Sequence, residues 1–242
     1  TDHLDGTAEA TAYDAEGNEV AKIDRAGRTT RMEYDSLNRL ARTTYPDGTS
    51  ESTDYDAAGR VIATVDRHGQ RATVEYDAAG RQTASVDATG RRTAQTFDEN
   101  GNRTSQTVDG RTTRFEYDAL NRLTKTTWPD GSSHSSTYRP DNRKESETDA
   151  RGVVTRYGYD AAGRLTSVAQ SLAITATPTS SISFGTTTYS YDETGAKTTQ
   201  VDALGRTTTW TVDANSRVTS RTIQDGTRET SSYDSEGNRV TK

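Results

Sequence analysis

Short runs in which apolar and polar residues alternate recur along this chain. Met32, Val74, Phe115, Tyr157, Tyr189 and Trp210 each stand two residues before another aromatic or apolar residue, with Glu33, Glu75, Glu116 and Thr211 among the residues between. A period of two predicts strands with one apolar and one polar face. Arg31 with Glu33, and Arg114 with Glu116, share the polar face. The runs end at Tyr13, Tyr34, Tyr55, Tyr76, Phe97, Tyr117, Tyr138, Tyr159, Tyr191, Val212 and Tyr233, and in every case but Tyr138 the next residue is Asp. Successive repeat positions stand 21 apart, except for one gap of 20 before Tyr117 and one of 32 before Tyr191. A fixed period in this range predicts a repeat architecture, which acts through a surface or an enclosure rather than a single pocket.

Turn signals punctuate the runs. The fourth residue after each repeat position is Gly17, Asn38, Gly59, Gly80, Gly101, Asn121, Asn142, Gly163, Gly195, Ser216 or Gly237. Gly and Asn tolerate a positive φ at least cost, so this place is read as left-handed. The Asp can hydrogen-bond its own turn. Together these predict a type I turn closed by a left-handed residue, a common hairpin connection. The seventh repeat, Arg139-Pro140-Asp141-Asn142, loses the first Asp but gains Pro where a type I turn favours it. A second turn lies between successive repeat positions, with its Gly at a constant offset from most of them: Gly27, Gly48, Gly69, Gly90, Gly131, Gly152, Gly205 and Gly226. It is either DxxG, as at 24–27, or ends in DG, as at 46–48. Gly110 comes one residue early and accounts for the gap of 20.

Between the turns lie two segments of about six residues, a typical strand length. The second is weaker in pattern. It carries Leu40, Val61, Leu123, Leu165 and Val218, then Val65, Val86 or Val201 near its end. Tyr45, Trp128 and Ile223 fall one residue later in the DG-type repeats, which predicts a bulge beside a shorter turn. The expected fold is all-β: tandem 21-residue hairpins in a long, twisted, curved antiparallel sheet, one continuous array over 1–242 with about 11 repeats and no separate domain. An uncharged insertion at about 168–186 interrupts it. A loop extension at a hairpin end is the favoured reading there, and an arm that meets a partner is the alternative.

Composition tempers this. Leu, Ile, Val and Phe together number 29 of 242 residues, a level at which disorder is a serious competitor. The net charge of -6 is modest, and 12 Tyr, 2 Trp and abundant Thr suit a half-buried pleated surface. There is no Cys, hence no disulfide framework. No apolar run is long enough for a membrane span, residues 1–10 do not read as a signal peptide, and mild acidity argues against nucleic acid. The chain reads as an interior segment of a longer polypeptide.

The search for chemistry returns little. His3, His68 and His134 are isolated and read as solvated loop residues. Residues 98–102, DENGN, look superficially like a calcium loop but lack the alternating spacing and distal Glu of an EF-hand. No phosphate-cradling loop, nucleophile elbow or HExxH occurs. Paired carboxylates recur with the repeat, whereas a catalytic pair is normally unique. No catalytic residue, cofactor or metal ligand is expected, and the repeat positions are read as structural.

YDAAGRL at 159–165, YDALNRL at 117–123, FDENGNRT at 97–104 and PDGT at 46–49 resemble the Rhs/YD-repeat family over nearly the whole chain. The resemblance implies a β-sheet strip that spirals into a hollow shell, as in bacterial polymorphic toxins, the cocoons of insecticidal Tc toxin complexes and teneurins. In the bacterial members the shell encloses a toxic C-terminal domain. A structural, encapsulating and non-enzymatic role follows, in a protein secreted or displayed on a bacterial surface. No core segment with a DPxG-like motif and no toxin tail is present, so the chain is expected to be an open section of wall. Its partners would be the rest of its own polypeptide and other copies, met through edge strands or the apolar face. The alternative is a carbohydrate-binding or adhesion module whose Tyr face stacks on a glycan. Whether Tyr34, Tyr55, Tyr76 and Tyr117 pack or lie open separates the two.

Overall fold

The structure is a computed structural model and describes residues 9–173 and 181–241. His3 and the middle of the insertion, 174–180, lie outside the described residues. The described residues form strands and turns with no helix. The chain divides into two units, Thr1–Arg114 and Phe115–Lys242.

In the first unit the strands are β1 (Ala10–Tyr13), β2 (Glu19–Ile23), β3 (Thr29–Tyr34), β4 (Leu40–Thr44), β5 (Ser50–Tyr55), β6 (Val61–Val65), β7 (Arg71–Tyr76), β8 (Gln82–Val86), β9 (Arg92–Phe97) and β10 (Arg103–Val108). Each pairs antiparallel with the next. β11 (Arg111–Tyr117) pairs with β10 through residues 111–114. This is the open sheet of tandem hairpins that the repeat period predicts.

The second unit continues the scheme with β12 (Leu123–Thr127), β13 (Ser133–Tyr138), β14 (Lys144–Thr148), β15 (Val153–Tyr159), β16 (Leu165–Ala173), β17 (Ser181–Tyr191), β18 (Lys197–Val201), β19 (Thr207–Val212), β20 (Val218–Thr222) and β21 (Arg228–Thr230). β22 (Ser232–Tyr233) and β23 (Arg239–Thr241) form a separate pair. The inserted residues lengthen two strands: β16 and β17 have 9 and 11 residues, and their pairing runs out to Ala173 opposite Ser181.

Register assigns the faces, because directly opposed residues share one. Met32 opposes Thr43 and Tyr34 opposes Leu40, while Glu33 opposes Arg42. The alternation before each repeat position is therefore real, with Met32 and Tyr34 half-buried and Arg31 and Glu33 exposed. Every hairpin closed by a YD-type turn for which a register is described has a bulge beside that turn, such as the shift between Asp54 and Tyr55. No shift occurs at the DG-type turn between β4 and β5. The bulge expected there is thus misplaced, and that turn is no shorter. Tyr45 N–H donates to Thr49 O just as Asp66 N–H donates to Gln70 O, so Tyr45 takes the place of the turn Asp.

The bulge reverses the outward alternation in mid-hairpin. Val61 opposes Tyr55 on the aromatic face, but Ala63 opposes Asp54 and Val65 opposes Ser52 on the other. Apolar area is thereby divided between two faces. Among the described residues the only buried apolar side chains are Ala63 and Ala84, each 2% exposed. No large side chain among the described residues is enclosed, so another kind of contact must hold repeat to repeat. No helix among the described residues is long and apolar enough to cross a membrane.

Candidate functional site

The YDAAGR turn that begins at Tyr55 shows how one repeat grips the next. Asp56 Oδ1 accepts the backbone N–H of Ala58 and of Arg60, each at 2.9 Å, and Oδ2 accepts Arg60 Nε at 2.7 Å. Gly59 N–H donates to Asp56 O at 3.0 Å, and Gly59 has φ +85°. The turn thus aims the Arg60 guanidinium along the sheet, where it lies 4.6 Å over the ring of Tyr76. Its Nη1 donates to the carbonyl of Asp77 at 3.4 Å. In the opposite direction the Tyr55 hydroxyl donates to the carbonyl of Leu40, in the preceding repeat, at 3.1 Å.

This rung recurs in both units. Arg39 lies over Tyr55 at 4.5 Å and Arg81 over Phe97 at 4.7 Å. Arg122 lies over Tyr138 at 4.7 Å, Arg164 over Tyr191 at 4.9 Å and Arg217 over Tyr233 at 4.6 Å. The phenols of Tyr34, Tyr138, Tyr159, Tyr191 and Tyr233 each donate to a carbonyl of the preceding repeat at 2.8–3.0 Å. Tyr13, on β1, is mostly exposed. A guanidinium over an aromatic face is attracted by the ring quadrupole. Its planar fork serves a carboxylate and a carbonyl together.

All eleven residues at the fourth place have positive φ, including Gly17, Asn38, Gly101, Asn121, Gly163, Gly195 and Gly237. Gly59, Gly80, Gly101, Gly163, Gly195 and Gly237 lie beside the incoming arm. A Cβ on Gly80 would stand 3.3 Å from Arg60 Nη1, and one on Gly163 would collide with Arg143. Two of the Asn residues at this place join the ladder: Asn142 Oδ1 accepts Arg122 Nη1 at 2.9 Å, and Asn38 Oδ1 accepts Asn18 Nδ2 at 3.2 Å. The Pro140 turn gives a looser rung. There Arg143 donates to Asp141 at 2.7 Å and stands 5.8 Å from the Tyr159 ring.

The turn carboxyls of Asp56, Asp77 and Asp160 are held below the ordinary carboxylate range, chiefly by the backbone N–H four residues on and also by the Arg side chain. Asp98, in the calcium-like stretch, engages its carboxylate with Asn102 N–H and Nδ2. Among the described residues no three His, Asp or Glu side chains gather as a metal site.

One cluster stands apart from the repeat. His134 lies on β13 rather than in a loop, which corrects the sequence reading, with Nε2 3.8 Å from Glu147 Oε2. Glu147 also accepts Lys144 Nζ at 2.7 Å and the Tyr157 hydroxyl at 2.6 Å. Burial, and then this hydrogen bond, push the Tyr157 phenol up to about 12. His68, by contrast, is exposed in its turn.

Sequence reasoning missed the Arg of the rung. Its signal is present: Arg39, Arg60, Arg81, Arg122, Arg143, Arg164 and Arg217 all stand five places after a repeat position. The pattern of faces does not reveal it, because the arm's partner lies in the next repeat.

Tandem hairpins cross-tied by turn arginines define a YD-type repeat array. The RHS Repeat family matches residues 13–50, 55–92, 76–110, 97–133 and 140–172, and the chain belongs to it. No curated protein matches the chain. Among solved structures it is similar to TcdB2-TccC3 without its hypervariable C-terminal region, at 16% identity and TM-score 0.47, over 98% of this chain and 15% of that one. The Photorhabdus luminescens Tc holotoxin pore is similar at 16% identity and TM-score 0.42, over 97% of this chain and 15% of that one. The chain thus spans about 15% of the length of these structures.

Proposed function

We propose that this chain is a length of wall in an Rhs-type shell, and that the shell encloses a toxic or effector domain carried C-terminal to it on the same polypeptide. The observation that carries the reading is the ladder. Phenols, guanidiniums and turn carboxylates are engaged in joining repeat to repeat, which leaves function to the extent of the sheet. A role as non-catalytic scaffold, in one continuous array of repeats within a secreted or surface-displayed protein, goes with this reading. The glycan-binding alternative is disfavoured because most rung rings, such as Tyr55 and Tyr76, lie under guanidiniums and most rung hydroxyls, such as those of Tyr34 and Tyr55, are bonded to backbone carbonyls.

Limited proteolysis of the native polypeptide that carries this segment tests the proposal. Its C-terminal domain is expected to resist cleavage while the repeats are intact, and to be cut at the rate of the isolated domain once they are unfolded. Equal cutting rates in the two states would overturn encapsulation.

A further inference from the structure

Ten rungs follow from the sequence when the residue five places after each repeat position is matched with the next repeat position. Nine supply an Arg or Asn arm and an aromatic ring. One supplies neither: Ala196 faces Val212. The structure has a depression of about 290 Å³ at this place, lined by Ala196 and Lys197 on one side and by Trp210, Val212, Ser216 and Val218 on the other. Its lining spans the places that a rung occupies elsewhere. The rungs on both sides are complete, with Arg164 over Tyr191 and Arg217 over Tyr233.

The depression keeps the recognition chemistry of the missing groups. A rung phenol donates to the carbonyl of the residue it faces across the previous rung, as Tyr55 does to Leu40, Tyr138 to Leu123 and Tyr233 to Val218. For position 212 the equivalent carbonyl belongs to Lys197. The Lys197 ammonium lies 4.2 Å over the Trp210 ring, two residues before position 212, and donates to Gln200 Oε1 at 3.4 Å, so a cation borders the gap although none lies over position 212 itself. Trp210 adds an indole face on which a second ring can stack in an offset or edge-on arrangement. Ser216 holds the left-handed place at φ 60° with no arginine arm arriving from the repeat before.

We propose that this interrupted rung is a binding site for a phenolic side chain, a tyrosine presented by another polypeptide segment that docks on the aromatic face. The incoming ring lies against Trp210 near the Lys197 ammonium, and its hydroxyl donates to Lys197 O. The inference does not depend on the encapsulation reading, because it concerns a side-chain slot in the wall whatever the wall surrounds. The competing account is that Lys197 and Trp210 close the gap on each other and admit nothing.

The test is titration of p-cresol and of N-acetyltyrosinamide into the protein, followed by NMR at the Trp210 indole. Both are expected to shift that resonance saturably, and toluene, which lacks the hydroxyl, to bind at least about threefold more weakly. Val212→Tyr supplies the wall's own ring and is expected to abolish both titrations and raise the melting temperature. Val212→Phe serves as the blocking variant if the first does not fold. No saturable shift in the wild type, or one that survives the blocking variant, overturns the site. Toluene binding as tightly as p-cresol overturns the hydroxyl contact, and p-cresol binding without N-acetyltyrosinamide overturns a polypeptide source.

Discussion

The phenols of Tyr55, Tyr138, Tyr191 and Tyr233 each make two separable contacts, a ring under a guanidinium and a hydroxyl on a carbonyl. Tyr138 has its ring 4.7 Å from Arg122 and its hydroxyl 3.0 Å from Leu123 O. Tyr138→Phe keeps the first and removes the second, and is expected to cost about 0.5–1.5 kcal/mol. Phe97 is the natural converse, a ring under Arg81 with no hydroxyl. Phe97→Tyr can reach the carbonyl of Gln82, which stands to position 97 as Leu40 stands to Tyr55, and is expected to stabilise. Thermal unfolding should move down a few degrees in one variant and up in the other; unchanged midpoints in both would mean the hydroxyl contact contributes nothing. The turn aspartates set the pH response. Asp56, Asp77 and Asp160 have folded values below the ordinary carboxylate value. Their contribution is therefore present above the unfolded value of about 3.9 and is lost as pH falls through the folded values. The melting temperature is expected to hold between about pH 7 and 5 and to drop below about pH 4. A flat profile down to about pH 2 would show that the carboxylates are bystanders.

At the scale of the element, the turn glycines carry two demands that substitution can separate. Gly27 has φ +74° and open space around a would-be Cβ, so Gly27→Ala suffers only from the left-handed backbone, about 1–2 kcal/mol. Gly80 has φ +81° and the Arg60 guanidinium 3.3 Å from that Cβ, so Gly80→Ala also displaces a rung. Denaturant unfolding should rank Gly80→Ala as the more damaging; equal losses would show that the arm moves aside freely. The hairpins themselves are legible in the sequence. Met32, Glu33 and Tyr34 alternate as a strand must, and the early Gly110 marks the tight turn in which Asp109 and Gly110 both take positive φ between the paired Val108 and Arg111. The bulge is not legible in the same way. It comes from backbone hydrogen bonding beside the turn, and it sends Val65 and Val86 to the face opposite Tyr55 and Tyr76. Reading those valines as one continued apolar face puts the inferred bulge at the wrong turn. Arg60 stays hidden for a different reason: its sequence neighbours explain its salt bridge to Asp56, and nothing local announces Tyr76.

The whole molecule inherits its stability from sums of neighbour contacts, since no large side chain among the described residues is enclosed and each rung spans one repeat. Such an array should tolerate loss of a complete unit and fail on loss of half of one. Deleting residues 56–76 joins Tyr55 to Asp77 and regenerates a YD turn. Arg39 still meets Tyr55, Arg81 still meets Phe97, and a single rung disappears. Deleting 66–76 instead removes one turn and one strand. That removes an odd number of strands, so every later hairpin meets its neighbour with direction and faces reversed. The first deletion is expected to keep the β-sheet circular dichroism per residue and a cooperative melt only slightly below the parent. The second is expected to lose the cooperative melt or the protein's solubility. If both deletions damage the fold equally, stability does not reside in rungs between adjacent repeats, and the ladder is a consequence of the sheet rather than what holds it.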